Sequence, residues 1–307
     1  MKKVFIDGSV GTTGLRIHER LADRADLEII RLPEELRKDP SARRDAINRA
    51  DVAFLCLPDA AAIEAVSMVE NENTAIIDTS TAHRTADGWV YGFAELNGLR
   101  ERIADAKRIA NPGCHASGFL SLIAPLVSSG LLSPDTPLTC HSLTGYTGGG
   151  KKMIADYEAE GRDVLLDAPR QYGLTQMHKH LPEMAAIAGL TQAPVFCPIV
   201  APYACGMEVT VPLFGHQLRG SLEDVREVYR KTYEKGLVRF VDSPDEGGFL
   251  AANALSGRDD MEVSVLGNAD RILLVSRFDN LGKGASGAAI QNMNILLGVD
   301  EATGLTV

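Results

Sequence analysis

Cysteine and long apolar runs are scarce in this sequence, and each shortage excludes a class of protein. Among the 307 residues there are five scattered cysteines, at positions 56, 114, 140, 197 and 205, with no CxxC pair. An odd, scattered set argues against a disulfide framework and against a zinc site. No apolar run approaches the roughly 20 residues of a membrane span, and the opening MKKVFIDGSVG lacks the apolar core of a signal peptide. We therefore expect a cytoplasmic protein that does not bind a membrane.

Positive charge is in short supply as well. The chain has 31 Lys and Arg residues against 41 Asp and Glu residues, which gives a net charge of −10. A negative net charge argues against nucleic acid as a partner, although it permits local basic pockets. The expected ligands are therefore small molecules.

The first 112 residues alternate between strand and helix patterns. The short β-rich runs KKVFID, LEIIRL, DVAFLCLP, TAIIDTS and RIANP are interspersed with helical stretches at 14–24, 42–50, 61–70 and 94–106. This alternation predicts an α/β domain in which helices cover a parallel sheet.

The pattern changes after about residue 135, where longer strand candidates dominate. These are TCHSLTG, PVFCPIV, MEVTVPLF, MEVSVLG and RILLVSRF, with few helices apart from 222–235. They predict a second, α+β domain with a mostly antiparallel sheet. The tail predicts one more helix, with Ala289, Met293 and Leu296 on one face.

The motif GSVGTTG, residues 8–14, lies between the first predicted strand and the first predicted helix. Gly8, Gly11 and Gly14 allow a tight turn and let a pyrophosphate approach the positive end of the helix. The spacing is looser than GxGxxG, so an ordinary strand-to-helix turn is the competing interpretation. The position in a βαβ unit favours a Rossmann-type dinucleotide-binding domain.

Arg31 ends the second predicted strand, where an NAD enzyme often carries an acid for the ribose hydroxyls. An arginine at this point favours a 2′-phosphate and therefore NADP. Glu34 and Glu35 follow closely, and either acid would favour NAD if it reached the ribose.

A second glycine loop, GYTGGGKK, matches GxxxxGK but has Lys152 where a P-loop needs Ser or Thr. An NTPase is therefore a minor alternative, and a flexible glycine loop is another. We favour a loop that shapes one wall of a substrate pocket, with Lys151 and Lys152 near an anion.

Cys114 follows an Asn-Pro-Gly turn and precedes apolar residues spaced as in a core-packed helix over 114–129. At a helix start, unpaired N–H groups and the helix dipole favour a thiolate, which lowers the pKa of the thiol. The same N–H groups could hold a developing oxyanion. A core role is the competing interpretation for Cys114, and it is the one we favour for the other four cysteines.

A cysteine nucleophile needs a proton-transfer partner, and the stretch HKHLPEM offers two. If HKH is extended, His178 and His180 point to opposite sides, so only one can face the cysteine. We favour His180, because a turn after it would let Glu183 orient its ring, and His178 stays open. His115 is less favoured, because adjacent side chains on a helix point about 100° apart.

Together these motifs resemble the N-acetyl-gamma-glutamyl-phosphate reductases, a branch of the semialdehyde dehydrogenases. The resemblance extends from end to end and is carried by the glycine turn at 8–14, NPGC at 111–114, HKHLPEM at 178–184 and NLGKGASGAAIQNMNILLG at 280–298. Longer members read GCYPT and HRHTPEI where this chain reads GCHAS and HKHLPEM, so the chain is similar to the shorter variety.

The resemblance implies a role for each matching residue. Cys114 would be the nucleophile and His180 the acid/base, while Arg84 in DTSTAHR would contact the substrate anion unless it is an ordinary surface arginine. The implied cofactor-binding residues are Gly8, Gly11, Thr12, Thr13, Gly14, Lys283 and Gly284, the last two in a loop near the nicotinamide. The implied domains are an NADP-binding domain, 1–114 with 284–307, and an inserted catalytic domain, 115–283.

The implied activity is NADPH-dependent reduction of N-acetyl-L-glutamyl 5-phosphate to N-acetyl-L-glutamate 5-semialdehyde and phosphate, in arginine biosynthesis. A thioacyl enzyme would form on Cys114 before the hydride arrives, and we also expect a homo-oligomer. Two alternatives stay open: an aspartate-semialdehyde dehydrogenase with a shorter substrate, and a non-catalytic NADPH-binding sensor in which Cys114 only packs.

Overall fold

The computed structural model describes residues 1–307, which divide into two compact units. The first unit contains residues 1–94, 98–112 and 285–305, and the second contains residues 95–97, 113–284 and 306–307. No helix is long and apolar enough to cross a bilayer.

Thirteen strands and nine α-helices make up the regular structure. The strands are β1 (Lys2–Asp7), β2 (Leu27–Ile30), β3 (Val52–Leu55), β4 (Ala75–Asp78), β5 (Val90–Tyr91), β6 (Arg108–Ala110), β7 (Thr139–Gly145), β8 (Arg170–Gln171), β9 (Val195–Ala201), β10 (Met207–Phe214), β11 (Val238–Phe240), β12 (Met261–Gly267) and β13 (Arg271–Phe278). The helices are α1 (Thr12–Leu21), α2 (Pro40–Arg49), α3 (Asp59–Ser67), α4 (Leu99–Ala104), α5 (Cys114–Ser128), α6 (Gly150–Glu158), α7 (Leu181–Ala188), α8 (Leu222–Thr232) and α9 (Gly287–Leu297).

The first unit is the predicted α/β structure. Its six strands have the order β2-β1-β3-β4-β6-β5, and every neighbouring pair is parallel. Successive residues of β1 enter different cores, Val4 and Ile6 one and Phe5 the other, as the two-residue repeat of a strand requires. Helix α9 contributes Ile290 and Met293 to the core that contains Val4. Because apolar cores cover both faces of this sheet, its central strands are buried along their whole length.

The second unit contains the predicted, mostly antiparallel sheet. Its order is β11-β12-β13-β10-β7-β9-β8, with parallel pairs at β11–β12 and β7–β9 and antiparallel pairs elsewhere. Helix α5 packs closely on this sheet. The glycine at 118 permits this approach, since an added Cβ would lie only 2.3 Å from Val209 Cγ2. This contact fixes the start of α5 relative to the sheet.

One predicted helix has different bounds in the structure, and one helix was not predicted. The helix predicted at 94–106 begins only at Leu99, because Gly98 has a left-handed φ of 70° that interrupts a continuous helix. Helix α7 was not predicted, since the segment after His180 was interpreted as a turn. Its sequence has the signals of a helix, with Pro182 in the first turn and Gly189 as a left-handed C-cap.

The turn after β1 requires glycine at Gly8, where φ is +86° and an added Cβ would lie 2.2 Å from the Cys56 carbonyl oxygen. We expect Gly8→Ala to lower the free energy of unfolding by about 2–5 kcal/mol, through left-handed strain and a backbone clash. Urea unfolding of the purified protein measures this loss. Gly11→Ala is the matched control, because its nearest neighbour would lie at 3.5 Å; equal losses in both variants would contradict the prediction.

Candidate active site

Cys114 is the first residue of α5, and the extended residue Gly113 precedes it as the N-cap. The N-cap residue is a glycine and makes no side-chain capping hydrogen bond. In the first intrahelical hydrogen bond, Ser117 N–H donates to the Gly113 carbonyl at 2.8 Å. The backbone N–H groups of the first turn thus lack helical acceptors and concentrate positive potential near the sulfur.

Gly284 lies directly against the cysteine. A Cβ added at Gly284 would come within 3.0 Å of Cys114 Cβ, and the Gly284 N–H donates to the Asp279 carbonyl at 3.0 Å. Both residues belong to the second unit. A glycine at 284 therefore leaves room beside the cysteine that any side chain would occupy.

Glu183 connects the start of α5 with His180. Its Oε2 accepts a hydrogen bond from Gly113 N–H at 3.2 Å, and its Oε1 lies 4.0 Å from His180 Nε2. Glu183 is 1% exposed and His180 is 5% exposed, so the carboxylate acts on the imidazole with little screening by water. At 4.0 Å the interaction is electrostatic rather than a hydrogen bond.

The HKH stretch is not extended, so the argument that its two histidines point to opposite sides does not apply. His180 is the N-cap of α7 with φ −88° and ψ −12°, and Leu181 N–H donates to the His178 carbonyl at 3.0 Å. This turn brings the His178 and His180 rings to a centroid distance of 4.7 Å, on one side instead of two. The choice of His180 over His178 as acid/base stays a prediction.

His115 is committed to two hydrogen bonds. Its Nδ1 lies 2.6 Å from Ser142 Oγ, and its Nε2 lies 2.6 Å from the Tyr172 hydroxyl. Burial, with smaller effects from the positive charges of His178 and Lys179, lowers the pKa of His115 to about 3. The imidazole is therefore neutral at ordinary pH and only a weak base, which makes it a poor proton acceptor for Cys114.

Lys283 lies in the second unit and is buried in an ion pair. Its Nζ donates to both carboxylate oxygens of Glu95 at 2.8 Å, and Leu237 N–H donates to the same carboxylate at 2.8 Å. The Lys283 side chain is 1% exposed. Its predicted cofactor contact is untested, and Glu95 is a partner that sequence reasoning missed, because it lies 188 residues away in the chain.

We expect Lys283→Met to lower the free energy of unfolding by about 3–5 kcal/mol, because it leaves the Glu95 carboxylate buried without its counter-charge. Urea unfolding measures the loss, provided that the m-value is the same in the parent and the variant. The double variant Lys283→Met, Glu95→Gln should recover most of it, since the amide oxygen can still accept from Leu237 N–H. A double variant less stable than Lys283→Met would contradict this account.

The glycine turn and Arg31 lie in the first unit, at the carboxyl ends of the neighbouring parallel strands β1 and β2. The N-cap of α1 is Gly11, which offers no side-chain cap, so Thr12, Thr13 and Gly14 present the first N–H groups of the helix. A Cβ at Gly14 would lie 2.5 Å from the Gly8 carbonyl. This uncapped helix end, lined by glycine, fits a dinucleotide pyrophosphate.

Two neighbouring charges bear on this fit. Arg43 Nε donates to Asp7 Oδ2 at 3.0 Å, so the acid at the end of β1 is neutralised beside the turn. Arg31 is exposed, as are Glu34 and Glu35. Arg31 is therefore accessible to a 2′-phosphate, while Asp7 adds little net repulsion against an anion.

The two predicted substrate contacts have different surroundings. Arg84 is 8% exposed rather than a surface residue, and its guanidinium donates to the carbonyls of Asn111 at 3.0 Å and Thr79 at 3.2 Å. Lys151 is exposed at the start of α6. Both roles stay predictions.

Two of the other cysteines lie in environments that disfavour a thiolate. Burial raises the pKa of Cys56 to about 12 and also raises the pKa of Cys140. Cys197 and Cys205 are half-buried, and all five cysteines are free thiols. A raised pKa makes Cys56 and Cys140 poor nucleophiles.

Comparison with known proteins identifies the family. A model of the semialdehyde dehydrogenase dimerisation domain matches residues 114–280, and a model of the semialdehyde dehydrogenase NAD binding domain matches residues 32–106. The N-acetyl-gamma-glutamyl-phosphate reductases of Brucella ovis and Brucella melitensis are each 48% identical to the chain over 306 residues, covering 96% of this chain and 99% of each relative. The chain belongs to the N-acetyl-gamma-glutamyl-phosphate reductase family. The resemblance inferred from the motifs is thereby confirmed.

Solved structures agree on the fold of this reductase family member. Aspartate semialdehyde dehydrogenase II from Vibrio cholerae superposes with a TM-score of 0.72 at 16% identity, covering 97% of this chain and 98% of that one. The Candida albicans aspartate semialdehyde dehydrogenase with NADP gives 0.68 at 16% identity, covering 97% and 99%. The predicted fold class, a Rossmann-type domain with an α+β domain, is confirmed.

Proposed function

We propose that the protein is an NADPH-dependent reductase of N-acetyl-L-glutamyl 5-phosphate, which yields N-acetyl-L-glutamate 5-semialdehyde and phosphate in arginine biosynthesis. The observation that carries the proposal is the arrangement at the start of α5, where Glu183 links Gly113, the residue before Cys114, to His180. The 48% identity to reductases along almost the whole chain supports the same substrate.

The first step belongs to Cys114. Its thiolate attacks the acyl carbon of the acyl phosphate, the bond from that carbon to the phosphate oxygen breaks, and a thioester to the Cys114 sulfur remains. The uncapped N–H groups of α5 stabilise both the thiolate before attack and negative charge on the carbonyl oxygen during it. The dissociated phosphate takes up one proton, which His180 in its charged form can supply.

The second step reduces the thioester. NADPH, when held by the residues proposed below, would supply the hydride for the carbonyl carbon. After His180 has taken up a new proton from solvent, its charged imidazole donates a hydrogen bond to the oxyanion that results, and Glu183 favours that charged form. Collapse of the oxyanion then breaks the carbon–sulfur bond, which releases the semialdehyde and restores the Cys114 thiolate.

For the residues that hold the cofactor we propose the glycine turn of the first unit, Gly8 to Gly14, with Arg31 for the 2′-phosphate. For the domain bounds we propose an NADP-binding domain, 1–114 with 284–307, and a catalytic domain, 115–283, although Cys114 and Gly284 themselves pack in the second unit. Lys283, Gly284, Arg84 and Lys151 keep the cofactor and substrate roles that the family resemblance and the sequence suggest.

Two further properties belong to the proposal. The match of residues 114–280 to a dimerisation domain supports a homo-oligomer formed through the second unit, which light scattering on the purified protein would test. The five free thiols support a reducing compartment such as the cytoplasm.

The reaction run in reverse tests the activity and the substrate together. The purified protein is given N-acetylglutamate semialdehyde, phosphate and NADP, and the formation of NADPH is followed by absorbance. Aspartate semialdehyde is the competing substrate, because the alternative enzyme would prefer it. We expect phosphate-dependent reduction of NADP with the N-acetylated substrate; faster turnover of aspartate semialdehyde, or NADP binding without turnover, would contradict the proposal.

Arg31→Ala should weaken the use of NADPH selectively. Loss of the charged hydrogen bond to the 2′-phosphate is expected to lower kcat/KM for NADPH by about 10-fold or more. The kcat/KM for NADH should be unchanged. Steady-state kinetics with both cofactors measure the ratio. Arg37→Ala removes another arginine of the same segment, one that lies 4.0 Å from Glu34, and should leave the ratio unaltered; equal losses with both cofactors in Arg31→Ala would contradict the assignment.

A further inference from the structure

The side chain of His178 closes a turn at the start of α7, and none of the steps proposed above uses it. His180 N–H donates to His178 Nδ1 at 3.2 Å, and Leu181 N–H donates to the His178 carbonyl at 3.0 Å. His180 is the N-cap of α7, and its own carbonyl accepts from Met184 N–H at 3.0 Å. His178 therefore holds the residue at which the helix begins, through its side chain and through its backbone.

The hydrogen bond from His180 N–H fixes the position of the proton on the His178 imidazole. A backbone N–H can only donate, so Nδ1 must offer a lone pair, and the neutral ring then carries its proton on Nε2. An imidazole with a proton on each nitrogen could not accept this bond. The turn therefore selects one of the two neutral tautomers of His178.

Three aromatic rings hold the His178 imidazole in this orientation. The ring centroids of Phe196, His115 and Tyr172 lie 5.1, 5.6 and 5.9 Å from its own. The nitrogens of His115 bond to Ser142 and Tyr172. His115 thus contacts His178 as a ring edge and does not compete for its Nδ1. Close packing on several sides restricts rotation of the His178 side chain.

The chain enters the turn through a left-handed residue, Gln176, which has a φ of 56°. A residue with a side chain adopts this conformation at a cost in free energy that the surroundings must offset. The Gln176 carboxamide bonds to the backbone of Phe196 in β9, where its Nε2 donates to the carbonyl at 2.7 Å and its Oε1 accepts from the N–H at 2.8 Å. The segment is thus anchored to the sheet two residues before His178.

We propose that His178 is a positioning residue, which holds the acid/base His180 in place through the hydrogen bond from His180 N–H to its Nδ1. The inference rests on the proposed function, which gives His180 that role. The bond fixes the backbone of His180 at the start of α7, and the first turn of the same helix carries Glu183, whose Oε1 lies 4.0 Å from His180 Nε2. Without the acceptor on His178, the His180 imidazole can move away from the carboxylate. Such a displacement lowers the rate although every reacting group is still present.

Two amide substitutions, His178→Asn and His178→Gln, test the role of Nδ1. The oxygen of an Asn side chain takes the place of Nδ1 and can accept from the N–H two residues further on, whereas the oxygen of Gln lies one methylene further out. We expect His178→Gln to lower kcat by about 10- to 100-fold through displacement of His180, and His178→Asn to lose clearly less. His178→Leu has no acceptor and should resemble His178→Gln, so the test survives if one variant fails to fold. Thermal unfolding identifies such a variant.

The same substitutions in a His180→Asn background separate positioning from a general structural role. The acid/base is already absent there, so His178→Gln should lower kcat no further. A residue that only stabilises the fold would lower kcat in both backgrounds. Equal losses in His178→Asn and His178→Gln, or losses that multiply with that of His180→Asn, would overturn the proposal.

The tautomer of His178 is measured without substrate or NADPH, by solid-state NMR of the whole protein labelled with ¹⁵N-histidine. The His178 signals are assigned by their absence from His178→Asn. We expect an unprotonated Nδ1 and a protonated Nε2, and a proton on Nδ1 would refute the turn. The expected tautomer in a protein without reductase activity would contradict the proposed function instead, and with it the role of His180, so the two failures are distinguishable.

Discussion

Cys114→Ser should retain its fold and its affinity for NADPH while turnover falls by about 10³-fold or more. The serine hydroxyl keeps the size of the side chain but offers almost no anion near neutral pH, whereas the cysteine at the start of α5 lies in a positive backbone field. Steady-state rates, NADPH fluorescence titration and thermal unfolding measure the three properties on one preparation.

Cys197→Ser is the control for this substitution. Cys197 is a half-buried strand residue of β9 in the same unit, so its replacement should cost little activity. Normal turnover in Cys114→Ser would remove Cys114 from the mechanism. A loss of stability that accounts for the whole loss of activity would instead make it a core residue.

His180→Asn should slow turnover by about 10²- to 10⁴-fold, the usual value of general acid–base help. Unlike Cys114→Ser, it should still form a covalent acyl enzyme, because attack by the thiolate does not require the imidazole once the thiolate exists. Rapid-quench measurement of acyl-enzyme formation, beside the steady-state rate, separates the two effects.

His178→Asn is the matched control, since its ring lies only 4.7 Å from that of His180, the histidine whose Nε2 lies 4.0 Å from Glu183 Oε1. We expect it to be far less impaired than His180→Asn. An inactive His178→Asn beside an active His180→Asn would move the acid/base role to His178 and leave the cysteine assignment unaffected.

Patterns within short windows predicted most of the fold. Strand repeats gave β7, β10, β12 and β13 with the same residues as the structure, and the apolar spacing after Cys114 gave α5 to within one residue. These elements are predictable because burial on one face imposes a period of 2 or 3.6 on the residues themselves. Strands β5 and β8, of two residues each, are too short to show a period.

The arrangement around Cys114 depends on partners that lie far apart in the chain. Glu95 meets Lys283 across 188 residues, and Tyr172 meets His115 across 57 residues. No local pattern encodes such pairs, since they result from packing of the whole unit. Glu183 is the exception, because it lies one helical turn after His180. Pro182, in the first turn of α7, was a local signal that this segment would be helical.

The central claim is that Cys114 forms a thioacyl intermediate, and the mass of the intact protein tests it most directly. The protein is incubated with N-acetylglutamyl phosphate without NADPH, quenched in acid and digested for peptide mapping. We predict one added N-acetylglutamyl group on the peptide that contains Cys114, present in the parent and in His180→Asn and absent from Cys114→Ser. An adduct on another cysteine, or NADPH-dependent turnover in a protein that never carries an adduct, would contradict the account.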